Sequence, residues 1–326
     1  MIYAPIALFT YNRADHTKQA VESLMKNAEA KDSDLFIFSD GPKNEKAVEG
    51  VKKNREYLQS LKNDNDTLTQ RYADATITPY FRSVTIIERE KNWGLANSLI
   101  AGITEIVNKY GRVIVVEDDL ILSPYFLQFM NDALEKYKDD ERVSTISSYV
   151  PTIDPHLPET YFLYYFHCWG WATWKRGWDL LELDSRKLLR KLRFKKTKFD
   201  VGGGAGAYGN LYCQKVGLVD SWWVRLYASL FLEKKLTLYP HHSLVTNNGQ
   251  DGTGTHVGTS KETRDMKITF ISKPVKVDNV EVKESEYAYA SFKKEFDMRL
   301  SANKNIGYYI AIIKSFIRRL FYIDSI

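Results

Sequence analysis

The chain has 326 residues, 44% hydrophobic and 27% charged, which suits one large α/β domain or two small ones and excludes bulk disorder. Its net charge is +5, from 46 basic and 41 acidic residues spread along most of the chain, without the dense basic stripe of a nucleic-acid binder. The two cysteines, Cys168 and Cys213, imply no disulfide framework. With no leader-like start and no run of apolar residues long enough to span a bilayer, the expected location is cytoplasmic.

The first half alternates strands and helices. Pro5 to Thr10 reads as a buried strand ending at Tyr11-Asn12-Arg13. Asp15 is the expected cap of a helix running to about Ala28. Leu35 to Phe38 is a second strand, closed by the turn signal Ser39-Asp40-Gly41-Pro42, and a charged helix follows from about Glu45 to Leu61. Residues 62–80 are polar and expected to be irregular. A third strand at Val84 to Ile87, a helix at Asn97 to Asn108, a fourth strand at Val113 to Val116 and a helix from Pro124 to Tyr137 complete the series. Continuous apolar strands alternating with helices predict a mainly parallel sheet covered on both faces. Such sheets bind ligands at the carboxyl ends of their strands. The polar clusters fall there: Thr10 to Arg13, Asp40, the Asn92-Trp93 loop and Glu117-Asp118-Asp119.

The second half is less regular. It holds the aromatic segment Tyr161 to Trp178, a basic stretch at 185–198 expected to be a solvated helix face, and Gly202 to Gly209, read as a mobile loop. A polar loop runs from Thr246 to Gly258. The expected division is a ligand-binding half at 1–150, a second half of the same domain at 151–260, an extension at 261–302 and an amphipathic helix at 303–326. That last segment gathers Ile306, Tyr309, Ile310, Ile313, Ile317 and Leu320 on one stripe, with Lys314, Arg318 and Arg319 off it. It suits an anionic membrane surface or docking on protein.

Three adjacent carboxylates repel one another and contribute little as structure, but where a strand leaves the core they can share a divalent cation. Mg²⁺ and Mn²⁺ prefer one or two carboxylates together with substrate phosphates. Val115-Val116-Glu117-Asp118-Asp119-Leu120, followed by Ser123-Pro124-Tyr125-Phe126, resembles the metal-binding segment of the N-acetylglucosaminyltransferase I family. The likeness also extends to glycosyltransferases of bacterial surface-polysaccharide loci, and runs in order from about residue 5 to 256. It implies a GT-A fold and inverting transfer of a sugar from a UDP-sugar to a glycan or lipid-linked hydroxyl, with N-acetylglucosamine as the implied sugar. Asp119 would be the direct metal ligand, and Glu117 and Asp118 would read sugar and ribose hydroxyls. Arg13 matches an arginine set against the donor diphosphate, and Thr10, Tyr11 and Asn12 accompany it. Asp40 matches an aspartate that reads uracil. Asn92 stands where the family carries a histidine, so that contact differs here; Asn97 is a further donor candidate.

Trp169-Gly170-Trp171 matches a Gly-Trp element of the sugar and acceptor site. There an indole face would pack on a pyranose, with Trp222 alongside. Val219-Asp220-Ser221-Trp222 matches the motif that carries the general base, which makes Asp220 the expected base with Asp251 the alternative. Trp222 and Trp223 would desolvate it. Asp220 or Ser221 would also cap the next helix. His256 would complete the metal site or bond the diphosphate. Two other readings are a non-catalytic binding module and a sugar-nucleotide pyrophosphorylase. The latter favours a glycine-rich loop after the first strand, where Thr10 to Arg13 has no glycine.

Overall fold

The computed structural model describes residues 3–71, 78–249 and 270–302. The first four strands and their helices follow in the expected order. They are β1 Ile6–Thr10, α1 Ala14–Met25, β2 Asp34–Ser39, α2 Glu45–Arg71, β3 Ser83–Glu88, α3 Leu95–Tyr110 and β4 Arg112–Glu117. Then come β5 Leu120–Leu122, α4 Phe126–Lys136, β6 Val143–Ser147, β7 Thr160–Leu163, β8 Trp171–Trp174 and α5 Lys175–Trp178. The chain continues through α6 Ser185–Leu192, α7 Lys196–Phe199, α8 Ala207–Lys215, α9 Trp222–Leu232, β9 Leu236–Pro240 and β10 Val245–Asn247 to α10 Glu286–Ala302.

Eight strands form one mixed sheet in the order β3-β2-β1-β4-β8-β6-β9-β7. The strands read from the first half are mutually parallel, whereas β8 runs antiparallel to both β4 and β6, and β7 antiparallel to β9. The two-residue period divides each strand between two cores. Ile6 and Leu8 of β1 and Leu35 and Ile37 of β2 pack with α1, α2 and α4, and Ala7, Phe9, Phe36 and Phe38 pack with α3 on the opposite face. Burial on both faces is why these strands carry no polar alternation. The order reverses between β1 and β4, which opens a crevice at their carboxyl ends. Among the described residues, no helix is long and apolar enough to cross a membrane.

Several local expectations are corrected. Asp15 does not cap α1: Arg13 holds the N-cap position without a side-chain bond, and Asp15 sits in the first turn, where its charge still suits the helix dipole. Helix α2 runs ten residues beyond Leu61. Buried Asn65 ties it down by accepting from Phe81 N–H (2.8 Å) and donating to Phe81 C=O (3.1 Å). That contact lies across the chain and leaves no periodic signal. The glycine-rich stretch is not a loop over the crevice. Gly202 and Gly204 lie against Lys293 and Phe296 of α10, and α8 begins at Ala207.

Candidate functional site

The crevice is a cavity of about 520 Å³ at the carboxyl edge of the sheet. Strand ends supply one wall, with Thr10 to Arg13 after β1, Asp40 after β2, and Glu117 to Asp119 after β4. The other wall comes from the second half: Cys168, Trp169, Asn210 and Val219 to Trp223. The antiparallel direction of β8 makes this possible. Because Trp171 pairs with Val115, the entry to β8 lies beside the exit of β4, and Cys168-Trp169 arrives next to Glu117.

Arg13 is the hub of the acidic wall. Its Nη2 donates to Asp118 Oδ1 and, at 3.1 Å, to Asp119 Oδ2, while its buried Nη1 has no partner among the described residues. Asp118 is almost fully buried and also accepts from Tyr11 N–H at 3.4 Å. Burial pushes its carboxyl up to about 6, against the lowering effect of Arg13. Burial pushes Glu117 still higher, well above the usual carboxylate range, and the charges of Asp119 and Asp118 add to it. One guanidinium therefore leaves negative charge uncompensated. An added cation would find suitable oxygen donors here, Asp119 among them. Among the described residues, no three metal-ligating side chains form a cluster.

A short antiparallel pair fixes the edge of this wall. Val245 to Asn247 of β10 pairs with Leu122 to Leu120 of β5, and Asn248 N–H then donates to Asp119 C=O at 2.9 Å. Glycine at the next residue makes this close approach possible without displacing a side chain. A Cβ on Gly249 would lie 2.6 Å from Asp119 Oδ2 and 3.1 Å from Arg13 Nη1.

The remaining expected residues divide into those that face the crevice and those that do not. Thr10, Tyr11, Asn12, Arg13, Asn92, Trp169 and Trp222 line it. Thr10 Oγ1 accepts from Asn54 (2.9 Å), and Tyr11 Oη accepts from Lys43 N–H (2.9 Å). Asp40 also lines the crevice, but its carboxylate accepts from the backbone N–H groups of Gly41, Trp93 and Gly94 at 2.9–3.1 Å, pinning the 92–94 turn to the end of β2. Asn92 closes the same turn by donating to Gly41 C=O (2.8 Å).

Three positions are corrected. Asn97 is exposed on α3, donates to Trp93 C=O and stays outside the lining; Ser98 faces in instead. Trp171 is 0% exposed and stacks on Trp222 with ring centroids 5.4 Å apart, so it supports the crevice from the core. Gly170 is buried in the turn before β8, at φ +59°, and its carbonyl accepts from Ser148 Oγ. The irregular tryptophan spacing has a simple origin. Trp171 and Trp174 lie on opposite faces of one strand and enter different cores.

Asp220 lines the opposite wall, and Ser221, not Asp220, caps α9 through its bond from Val224 N–H. The tryptophans do not desolvate Asp220: its side chain is 58% exposed, and Oδ1 accepts from Arg225 Nη2 at 2.9 Å. Asp251 and His256 lie outside the described residues. Sequence reasoning passed over Ser98 and Asn210 as lining residues. Ser98 lies one turn into a helix that starts at a strand-end loop, a position that would have pointed to it. Asn210 carries no such signal.

A doubly wound sheet with an arginine-bridged acidic cluster at its reversal point defines an α/β protein built to receive a charged ligand at its strand ends. Residues 1–186, more than half of the chain, match the GNT-I family, and the chain belongs to it. It is 25% identical over 188 residues to an alpha-1,3-mannosyl-glycoprotein 2-beta-N-acetylglucosaminyltransferase of Arabidopsis thaliana. That match covers 56% of this chain and 39% of the plant protein. Among solved structures, S. aureus TarS aligns with a TM-score of 0.28 at 10% identity, over 48% of this chain and 23% of that one. A UDP-glucose pyrophosphorylase complexed with UDP-glucose aligns at 0.33 and 11%, over 54% and 78%. Neither structural likeness is close enough to bear on the site or its chemistry.

Proposed function

We propose that this protein is an inverting glycosyltransferase that moves a sugar from a UDP-sugar to a hydroxyl of a glycan or lipid-linked acceptor. The observation that carries the proposal is the Arg13 bridge to Asp118 and Asp119 on one wall of a crevice whose other wall presents Asp220. Family membership supports the reading, and the plant relative's name supports N-acetylglucosamine as the sugar.

In this reading Arg13, on the crevice lining, receives the donor diphosphate, a guanidinium at a strand end being well suited to phosphate. Asp119 would hold Mn²⁺ or Mg²⁺ together with diphosphate oxygens, and the bound cation would supply neutralisation of the leaving group's charge. Glu117 and Asp118 accept from sugar and ribose hydroxyls; their raised proton affinity fits groups that share protons with hydroxyls. Tyr11 and the Asn92 turn border the nucleoside, and Trp169 and Trp222 offer apolar surface to the sugar. Asp220 takes the acceptor proton during a single in-line displacement. Its exposure suits a base that meets its substrate from solvent, and Arg225 Nη2 orients it by donating to Oδ1 at 2.9 Å. Surface-polysaccharide synthesis at the inner face of a membrane is the proposed setting, with residues 303–326 as a membrane contact.

The test is UDP-sugar turnover with and without Mn²⁺ in the wild type and in Asp119→Ala. The expected result is turnover that needs the metal and is lost in the variant. Metal-independent turnover that survives the substitution would overturn the reading.

A further inference from the structure

Away from the crevice, residues 185–198 hold eight lysines and arginines and no acidic residue. In α6, Leu188, Leu189 and Leu192 turn into the core, which leaves Arg186, Lys187, Arg190, Lys191 and Arg193 on one exposed face. Neutralisation is confined to the two ends of the stretch, where Lys187 pairs with Glu182 and Lys198 with Glu284. Among the described residues, no acidic side chain pairs with Arg190, Lys191, Arg193 or Lys195 between them. At this point the chain also presents Phe194, 91% exposed, with the Arg193 guanidinium over its ring.

A solvated helix face accounts for the charges but not for a bare phenylalanine in their midst. Uncompensated cations around an exposed aromatic side chain suit the boundary between anionic headgroups and acyl chains. We propose that α6 and the turn after it, residues 185–196, form a docking surface for an anionic lipid bilayer, with Phe194 entering the interface and the cations meeting phosphate headgroups. The surface shares no residue with the 303–326 segment. The buried face of α6 packs on α8 and α9, which carry Asn210 and Trp222-Trp223 of the crevice, so the docking surface lies behind the wall opposite the acidic cluster.

Co-sedimentation of the full chain tests this with vesicles of phosphatidylcholine alone and with about a third phosphatidylglycerol. The wild type should bind only the anionic vesicles, and less as salt rises. Arg190→Glu with Lys191→Glu and Arg193→Glu should weaken binding at least about tenfold. Phe194→Ser should weaken it several-fold at unchanged charge. Every substituted side chain is exposed, so melting temperatures should match the wild type. Binding unchanged in both variants would overturn the proposal, as would equal binding to neutral vesicles. Binding to RNA or heparin with no affinity for anionic vesicles would also overturn it and assign the surface to a soluble polyanion.

Discussion

At the scale of single residues, Arg13 does two jobs. It supports the crevice by compensating Asp118, and it is the proposed contact for the donor diphosphate. Arg13→Gln should therefore cost stability without any ligand, by about 2–3 kcal/mol, since it strands a buried carboxylate. Urea unfolding would measure that, and calorimetry with UDP should show binding about tenfold weaker or worse. His167 gives a second expectation. Its ring lies among Tyr149, Tyr165, Trp169 and Trp223, and its Nδ1 accepts from Trp169 N–H at 3.3 Å. Burial, aided by Arg299, lowers its pKa from 6.5 to about 3. Above pH 6.5 the ring is neutral in both folded and unfolded chains. Below that the unfolded chain takes up a proton that the folded one refuses, so stability falls as pH drops from about 6.5 to about 3. His167→Phe should flatten the dependence of melting temperature on pH in that window. An unchanged slope would assign the acid sensitivity to other groups.

At the scale of elements, the β5–β10 pair brings a backbone against the acidic wall, and Gly249 is where the approach is closest. Gly249→Ala should push the strand away from Asp119 and Arg13 and weaken UDP binding about tenfold, with a smaller effect on melting temperature. Strand β8 separates support from contact. Trp171→Ala should cost about 3–5 kcal/mol in urea unfolding as a core deletion, whereas Trp169→Ala should act mainly on sugar binding.

Legibility differed among these elements for a physical reason. Strands β1, β2 and β4 are buried on both faces and announce themselves as apolar runs, and their carboxyl ends were marked by Arg13, Asp40 and Glu117 to Asp119. The far half of α2 was not legible, because it rests on one asparagine reaching Phe81. Asp40 was found, but its partners Trp93 and Gly94 lie on a loop more than fifty residues away, and pairing of that kind has no local signature.

At the scale of the whole molecule, the crevice sets strand ends from the first 119 residues, with Asn247 beside them, against a wall from residues 168–223. The proposed glycosyl transfer needs both, so the two walls should be separable by substitution. Asp220→Asn should leave UDP affinity within a few-fold of wild type and lower turnover by about 10²–10⁴. Strong loss of UDP binding in that variant would argue against its place as the base.

The position of β8 also bears on how this protein can come into being. The strand enters the sheet between β4 and β6 and is made only after most of the first half has been synthesised. Until residues 171–174 emerge, β4 presents a naked hydrogen-bonding edge of buried-type side chains, Val113 to Val116, open to any other chain in the same state. A truncated chain ending at residue 150 should therefore self-associate instead of folding as a soluble unit, which size-exclusion chromatography would reveal. Completion of the sheet is then the event that protects the nascent polypeptide from aggregation.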